Sequence, residues 1–388
     1  MEQATSLVVI ALAVFVLPLA AGRLRLPAVV AEILFGIIVG PSALNLIQGS
    51  ELLDLLADLG LFLLMFLSGF EIDFGKLERQ RLSAIGTGML VFALTLLGSH
   101  FVTGWLGYGF FMTLVLSTTS VGLVVPTLRA TRHTGTRLGQ AVLISAILAD
   151  FLTLMAVAFL ALVHEHGVSW DLLKFPALFL AIIVVLRCLR LAVWWHPKQF
   201  ARLFSSDDPE ELGIRVSLAF MLAFVGLSLA LDIEPILGAF LAGMVFALVF
   251  RSRGALEHRL SGFSYGFLIP IFFINIGIRF ELESLMDSES FLRAVLIIVA
   301  AFAVKILPSF AHFIQGMELR EVLAAGTLLS ARLSLIIAVA TVGVELGLLT
   351  VEDRALAILI ATVTTTLAPS LFRIIAPPPT GWLPFDKT

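Results

Sequence analysis

Cysteine occurs once in the 388 residues, at Cys188, which excludes an intrachain disulfide framework and a cysteine-rich metal centre. Charge is scarce. Asp, Glu, Lys and Arg make up 14% of the chain, where soluble proteins carry about 25%. The net charge of −3 offers none of the basic excess that marks a nucleic-acid partner. Tyrosine occurs twice against 32 phenylalanines, so the aromatic bulk suits lipid or helix packing rather than a wet surface. No HExxH, GxSxG or paired-aspartate hydrolase motif is read in the apolar segments, so no catalytic residue and no cofactor are expected.

What the chain has in excess is apolar residue, at 59%. A soluble fold of this size could not remove that much apolar surface from water, whereas a bilayer replaces the water. Thirteen apolar segments stand between charged or Gly/Pro-rich breaks: 6–22, 27–47, 52–70, 82–104, 108–129, 137–163, 172–194, 213–231, 234–250, 263–280, 291–313, 320–346 and 351–373. A hydrocarbon core of about 30 Å needs roughly 20 such residues. Backbone within it must satisfy its own hydrogen bonds, so the segments are expected to be helices. The first is read as a membrane helix rather than a signal peptide, because Met1-Glu2-Gln3 is not basic and Arg23 and Arg25 follow the apolar run.

Lys and Arg orient these helices. With the N-terminus outside, 19 of the 25 fall in inside loops and the C-terminal tail. Four (Lys174, Arg279, Arg293 and Arg354) fall outside, and Lys305 and Arg332 lie within apolar segments. The positive-inside rule selects this arrangement, with a cytoplasmic C-terminus. A weak internal repeat is also visible. At an offset of 208, Pro27 meets Pro235, Ala31 meets Ala239 and Gly69 meets Gly277. At 213, Leu116-Ser117-Thr118-Thr119 meets Leu329-Ser330-Ala331-Arg332. Seven helices separate equivalent positions, so the halves are expected to be inverted, as in many transporters. The expected organisation is a first six-helix repeat plus linker helix over 1–194, a cytoplasmic connector at 195–215, a second repeat at 216–376 and a short cytoplasmic tail at 377–388.

An ionisable side chain deep in a membrane helix costs about 2.5–3.5 kcal/mol by insertion scales, so each is a functional candidate. Asp150 lies mid-segment in ISAILADFLTLMAVAFLAL. It reads either as a carboxylate that holds helices together through a basic partner or as one that alternates between a proton and a cation. Ser117, Thr118, Thr119 and Ser120 form a polar cluster, followed by Gly122 and Pro126. Such a break frees carbonyls and creates helix ends where ions bind; alternatively the hydroxyls bond back to their own helix. Arg332 occupies the repeat-equivalent place and is expected to neutralise helix ends beside the Thr-Ser cluster. Lys305, mid-segment before Pro308, reads as a partner of Asp150 or as a group that gives up a proton when a cation arrives. Asn275 is a further polar residue that could line a pathway.

The text LPAVVAEILFGIIVGPS (26–42), LGLFLLMFLSGFEID (59–73), ILGAFLAGMVFA (236–247) and PIFFINIGIRFEL (270–282) resembles the monovalent cation:proton antiporter superfamily, in the branch that holds sodium/proton exchangers and potassium-efflux proteins. The resemblance covers essentially the whole chain. It implies an all-α polytopic fold with two crossed discontinuous helices beside the aspartate helix, a homodimer and alternating access. It makes Asp150 the ion-binding aspartate, with Thr118, Thr119 and Ser120 in the unwound crossing segment and Thr119 as a direct cation contact. Lys305 and Arg332 become the supporting intramembrane charges. The chain departs from many exchangers in having Ala149 before Asp150, where those carry Asp or Asn.

The expectation is therefore a multi-pass inner-membrane antiporter that exchanges Na⁺, K⁺ or Li⁺ for H⁺. The rivals are a sodium-coupled organic-anion carrier, with Lys305 and Arg332 as its basic pocket, and a non-transporting membrane sensor or subunit.

Overall fold

The computed structural model describes residues 2–24, 27–72, 82–167, 169–196, 211–250, 254–280 and 288–378. Most of the expected connector (197–210), the basic residues Lys76, Arg79, Arg81, Arg251 and Arg253, and the tail from 379 onward lie outside the described residues.

The described elements are helical. In chain order they are α1 (Glu2–Leu24), α2 (Ala28–Val39), α3 (Glu51–Phe70), α4 (Leu82–Trp105), α5 (Phe110–Ser117), α6 (Val121–Ala130), α7 (Arg137–His166), α8 (Lys174–Trp195), α9 (Leu212–Ala230), α10 (Pro235–Val249), α11 (Gly254–Phe263), α12 (Ile269–Ile278), α13 (Ser288–Ile306), α14 (Leu319–Leu329), α15 (Ser334–Glu345) and α16 (Val351–Ile375). A π turn (Ser264–Leu268) joins α11 to α12, and a 3₁₀ segment (Pro308–Gln315) continues α13. The chain is a multi-pass membrane protein.

Each of the thirteen apolar segments contains helix, but the expected thirteen crossings are not carried by helix length. Among the described residues ten helices are long and apolar enough to cross a bilayer, or eleven when the bent pair α14 and α15 is taken as one span. Helix α2 has 12 residues and α10 has 15. At 1.5 Å per residue they reach about 18 and 22 Å, short of a hydrocarbon core of about 30 Å. Chain breakers set these lengths. Pro27 precedes α2 and Gly40 ends it, and Pro235 opens α10.

The chain forms two compact units, each drawn from both sequence halves. The first holds residues 1–74 and 158–283. Within it α3 packs along α10, and α2 packs along α12. Glycine permits the second contact: a Cβ on Gly36 would run into the Ile274 carbonyl oxygen, and one on Gly277 into that of Ile33. The backbones approach as closely as small-residue membrane interfaces allow. Phe66 and Phe70 of α3 meet Phe246 of α10 edge-on, with ring centroids 5.9 and 5.6 Å apart.

The second unit holds residues 75–157 and 284–388. In it α16 packs on α14 and α15, α4 on α5 and the 3₁₀ segment, and α13 on α14. Its interior carries Asp150, Lys305 and Arg332, all buried.

Candidate functional site

Two helices of the second unit break, and both breaks have local causes. Between α5 and α6 the chain is extended: Thr118 has φ −58°, ψ 157° and Ser120 has φ −141°, ψ 106°. Hydroxyl side chains offer the backbone competing hydrogen bonds here. Ser117 Oγ donates to the Thr113 carbonyl and Thr118 Oγ1 to the Val115 carbonyl, both at 2.8 Å. Between α14 and α15 the chain turns through Ser330–Leu333, and the two helices bend by 45°. Ser330 Oγ donates to the Gly326 carbonyl at 2.8 Å.

A broken helix exposes carbonyls at one new end and N–H groups at the other. Cations meet the carbonyls. Lys305 Nζ donates to the Ser117 carbonyl and to Thr119 Oγ1, each at 2.7 Å. The Arg332 guanidinium donates to the Leu116 carbonyl at 3.0 Å, to Ala301 at 2.8 Å and to Ser330 at 3.2 Å. Both cations thus sit at the negative C-terminal end of α5, and Arg332 also caps α14. Its own carbonyl accepts from Thr365 Oγ1 of α16 at 2.7 Å. At the other end the sign reverses. The Asp150 carboxylate of α7 accepts from the Val121 N–H, the first residue of α6, at 3.2 Å. An anion therefore faces the positive N-terminus of α6.

Asp150, Thr118, Thr119, Ser120, Lys305 and Arg332 are brought together in one unit, and each is at most 5% exposed. Asn275 is not part of this group; it lies on α12 of the other unit, where its Nδ2 donates to Asp54 Oδ1 at 3.1 Å. Lys305, expected mid-helix, is in the last turn of α13. Pro308 cannot continue the α-helical ladder, and the chain tightens to 3₁₀ with Ser309 Oγ donating to the Lys305 carbonyl.

Among the described residues no three His, Cys, Asp or Glu side chains converge as a metal centre. The site combines one carboxylate with neutral oxygens, a donor set that suits a singly charged cation. Multivalent oxygen-ligated ions favour several carboxylates.

Sequence reasoning missed Thr365, whose place in the Thr364-Thr365-Thr366 run was a readable polar signal. It also missed Glu32, a buried carboxylate in α2. One motif needs correction: Gly262-Phe263-Ser264-Tyr265-Gly266 does match GxSxG by letter. It runs from α11 into the π turn, with Ser264 fully buried, and not through the strand–turn–helix that exposes a nucleophile.

Comparison with known proteins adds the lineage. The family model described as "Sodium/hydrogen exchanger, transmembrane" matches residues 9–376. A relative from Bacillus subtilis, named putative Na(+)/H(+) antiporter YjbQ, is 34% identical over 95% of this chain; the chain spans 62% of that relative's length. Probable Na(+)/H(+) antiporter 3 of Methanocaldococcus jannaschii is 26% identical, with 93% and 94% of the two chains covered. The Na(+)/H(+)-K(+) antiporter GerN of Bacillus cereus is 27% identical, with 90% of each covered. Among solved structures, the sodium proton antiporter MjNhaP1 of M. jannaschii at pH 8 superposes with a TM-score of 0.71, covering 97% of this chain and 96% of that one. At 19% identity it shows the shared fold.

Proposed function

This chain belongs to the sodium/hydrogen exchanger family of transmembrane proteins, and from that premise we propose that it is a secondary antiporter exchanging a monovalent cation for H⁺. Na⁺ and K⁺ are the favoured ions, since relatives are named for both; Li⁺ is a further candidate. The observation that carries the reading is Asp150, a buried carboxylate facing the N-terminal end of a half-helix.

In the proposed cycle Asp150 releases its proton to one side, and a partly dehydrated cation replaces it. Oxygens of the Thr118-Thr119-Ser120 break supply further ligands, Thr119 among them. The loaded site then opens to the other side, the cation leaves, and protonation of Asp150 completes the turn. Proton and cation compete for one carboxylate, so neither crosses with the other. Ala149 in place of a second acid supports one proton against one cation.

Lys305 and Arg332 hold the helix ends in this cycle. Lys305 Nζ and the two terminal nitrogens of Arg332 donate to carbonyls and to Thr119, leaving only the buried Arg332 Nε without a partner. That commitment argues against the organic-anion carrier, which needs a basic pocket turned toward its substrate.

The proposal extends to the two repeats, 1–194 and 216–376 around the connector 195–215. Short α2 and α10, and the two broken helices, stand at repeat-equivalent places, which supports this. It extends also to an inner-membrane homodimer, which the family resemblance implies, and to an orientation with the N-terminus outside and the tail 377–388 in the cytoplasm, which the Lys and Arg asymmetry supports.

The test is reconstitution in proteoliposomes with an imposed pH gradient and a pH-sensitive dye, adding Na⁺, Li⁺ and K⁺ separately. Collapse of the gradient by one cation, absent in Asp150→Asn, is the expected result. Full exchange by Asp150→Asn would sink the proposal.

A further inference from the structure

Threonine in a helix normally satisfies its hydroxyl locally, because Oγ1 can reach a carbonyl one turn back. This protein follows the rule repeatedly. Thr95 donates to the Val91 carbonyl at 2.8 Å, Thr127 to Leu123 at 2.7 Å, Thr327 to Leu323 at 2.7 Å and Thr341 to Ile337 at 3.0 Å. Thr153 on α7 breaks it. Its side chain is fully buried, and Oγ1 has no hydrogen-bond partner. The carbonyl of Ala149 was available one turn back, and the hydroxyl is not bonded to it. A buried, unsatisfied hydroxyl is unfavourable and calls for an explanation.

Its position supplies one. Thr153 is three residues after Asp150 on the same helix, a spacing that puts side chains on one face with Cβ atoms about 5–6 Å apart. Two hydroxyls of the adjacent break already take part in hydrogen bonds, and each keeps a lone pair for a cation. Thr118 Oγ1 donates to Val115, and Thr119 Oγ1 accepts from Lys305. A cation on Asp150 needs neutral oxygens with free lone pairs, and Thr153 presents one.

We propose that Thr153 Oγ1 is a ligand for the transported monovalent cation, completing the Asp150 site from the same helix. This rests on the antiport reading given above. With the cation bound, a lone pair of Oγ1 replaces one water of the ion's hydration shell. With Asp150 protonated, the same oxygen accepts from the carboxylic O–H. One side chain thereby serves both loaded states. A hydroxyl in a packed wall discriminates among ions by size, which makes Thr153 a residue on which selectivity depends.

The experiment uses the full chain. Thr153→Val keeps the shape without the oxygen, Thr153→Ser keeps the oxygen, and Thr153→Ala guards against misfit of valine. Ser145→Ala is the control: Ser145 is also buried with a partnerless hydroxyl, but it lies five residues before Asp150 and packs beside Gly88 of α4. In proteoliposomes the apparent KM for the cation is expected to rise about tenfold or more in Thr153→Val and Thr153→Ala, the loss of one ligand to a charged group. Thr153→Ser and Ser145→Ala should stay within about threefold of wild type, less than the loss of one such ligand. A second readout is thermal unfolding in detergent with and without the cation. Wild type should be stabilised by the cation, and Thr153→Val should lose that increment while melting no lower than wild type when no cation is present. An unchanged KM and an unchanged cation increment in both Thr153→Val and Thr153→Ala would overturn the assignment while leaving antiport at Asp150 intact. If the wild-type protein neither exchanges nor responds to any cation, the antiport reading falls and this assignment with it.

Discussion

Lys305 and Arg332 bind adjacent carbonyls, those of Ser117 and Leu116, at the C-terminal end of one half-helix. They arrive from different elements, α13 and the turn between α14 and α15. Two buried positive charges sharing one helix end repel each other. The arrangement holds because each satisfies carbonyls that the break would otherwise leave bare in a medium without water.

Lys305 also orients Thr119, so its removal is expected to damage transport more than folding. Lys305→Met should keep a folded protein in detergent, since the stem volume is retained and a buried charge is deleted. Exchange in proteoliposomes should fall at least about tenfold, the effect of losing a charge-assisted bond of about 1.5–3 kcal/mol. Wild-type exchange by Lys305→Met would show that the ammonium is dispensable.

Arg332 is expected to matter for stability first. Its guanidinium spans the Leu116, Ala301 and Ser330 carbonyls. Arg332→Ala strands the Leu116 and Ser330 carbonyls at the two helix ends, at about 1–3 kcal/mol for each buried group left unpaired, while the Ala301 carbonyl keeps its place in the α13 ladder. The melting temperature in detergent should drop sharply. Arg332→Lys should recover only part, because a point charge cannot reproduce a planar fork. A melting temperature unchanged in Arg332→Ala would refute the capping role.

The α2–α12 contact depends on its glycines. In Gly277→Ala the new Cβ meets the Ile33 carbonyl, so the helices must separate. Overpacking of this kind costs about 1–3 kcal/mol. The monodisperse folded yield should fall, whereas Gly22→Ala, with nothing within 4 Å of its Cβ, should be neutral. Equal yields for the two would show that the close approach relaxes freely.

Asp232 carries a pH prediction at the surface. It accepts a hydrogen bond from Lys174 at 2.7 Å, which holds its carboxyl below the ordinary range. A depressed carboxylate contributes stability above its unfolded pKa of about 3.9, and loses it as pH falls through the folded value. The melting-temperature gap between wild type and Asp232→Asn should therefore persist from neutral pH to about pH 5 and close as the pH falls below about 4. Asparagine tolerates the left-handed backbone here (φ 53°), so the comparison reads the charge. A gap that persists at low pH would assign the effect to something other than the ion pair.

Asp150, Lys305 and Arg332 were legible as candidates because a charge inside an apolar run is conspicuous, and the hydroxyl cluster at 117–120 because it interrupts one. The partners of those groups were not legible. The family resemblance implies Thr119 as a cation contact, and its oxygen also accepts from Lys305, which is 186 residues away in sequence. Thr153 was overlooked because a single threonine in DFLTLMAVAF is indistinguishable, as text, from the many that bond back to their own helix. Equally, the length of α2 could not be read from an apolar run that continues to residue 47, whereas α10 ends within one residue of its run at each end.

Composition, apolar run length and the distribution of Lys and Arg are local or additive properties. They were enough to establish a helical membrane protein, its segments and the few buried charges, since the hydrophobic cost of each residue is nearly independent of its neighbours. Which carbonyl each cation caps, which helix end faces Asp150 and which hydroxyl stays unclaimed depend on contacts between segments distant in the chain. Hydrogen bonds are directional and short-ranged, so those pairings exist only once α5, α7, α13 and α14 are packed together.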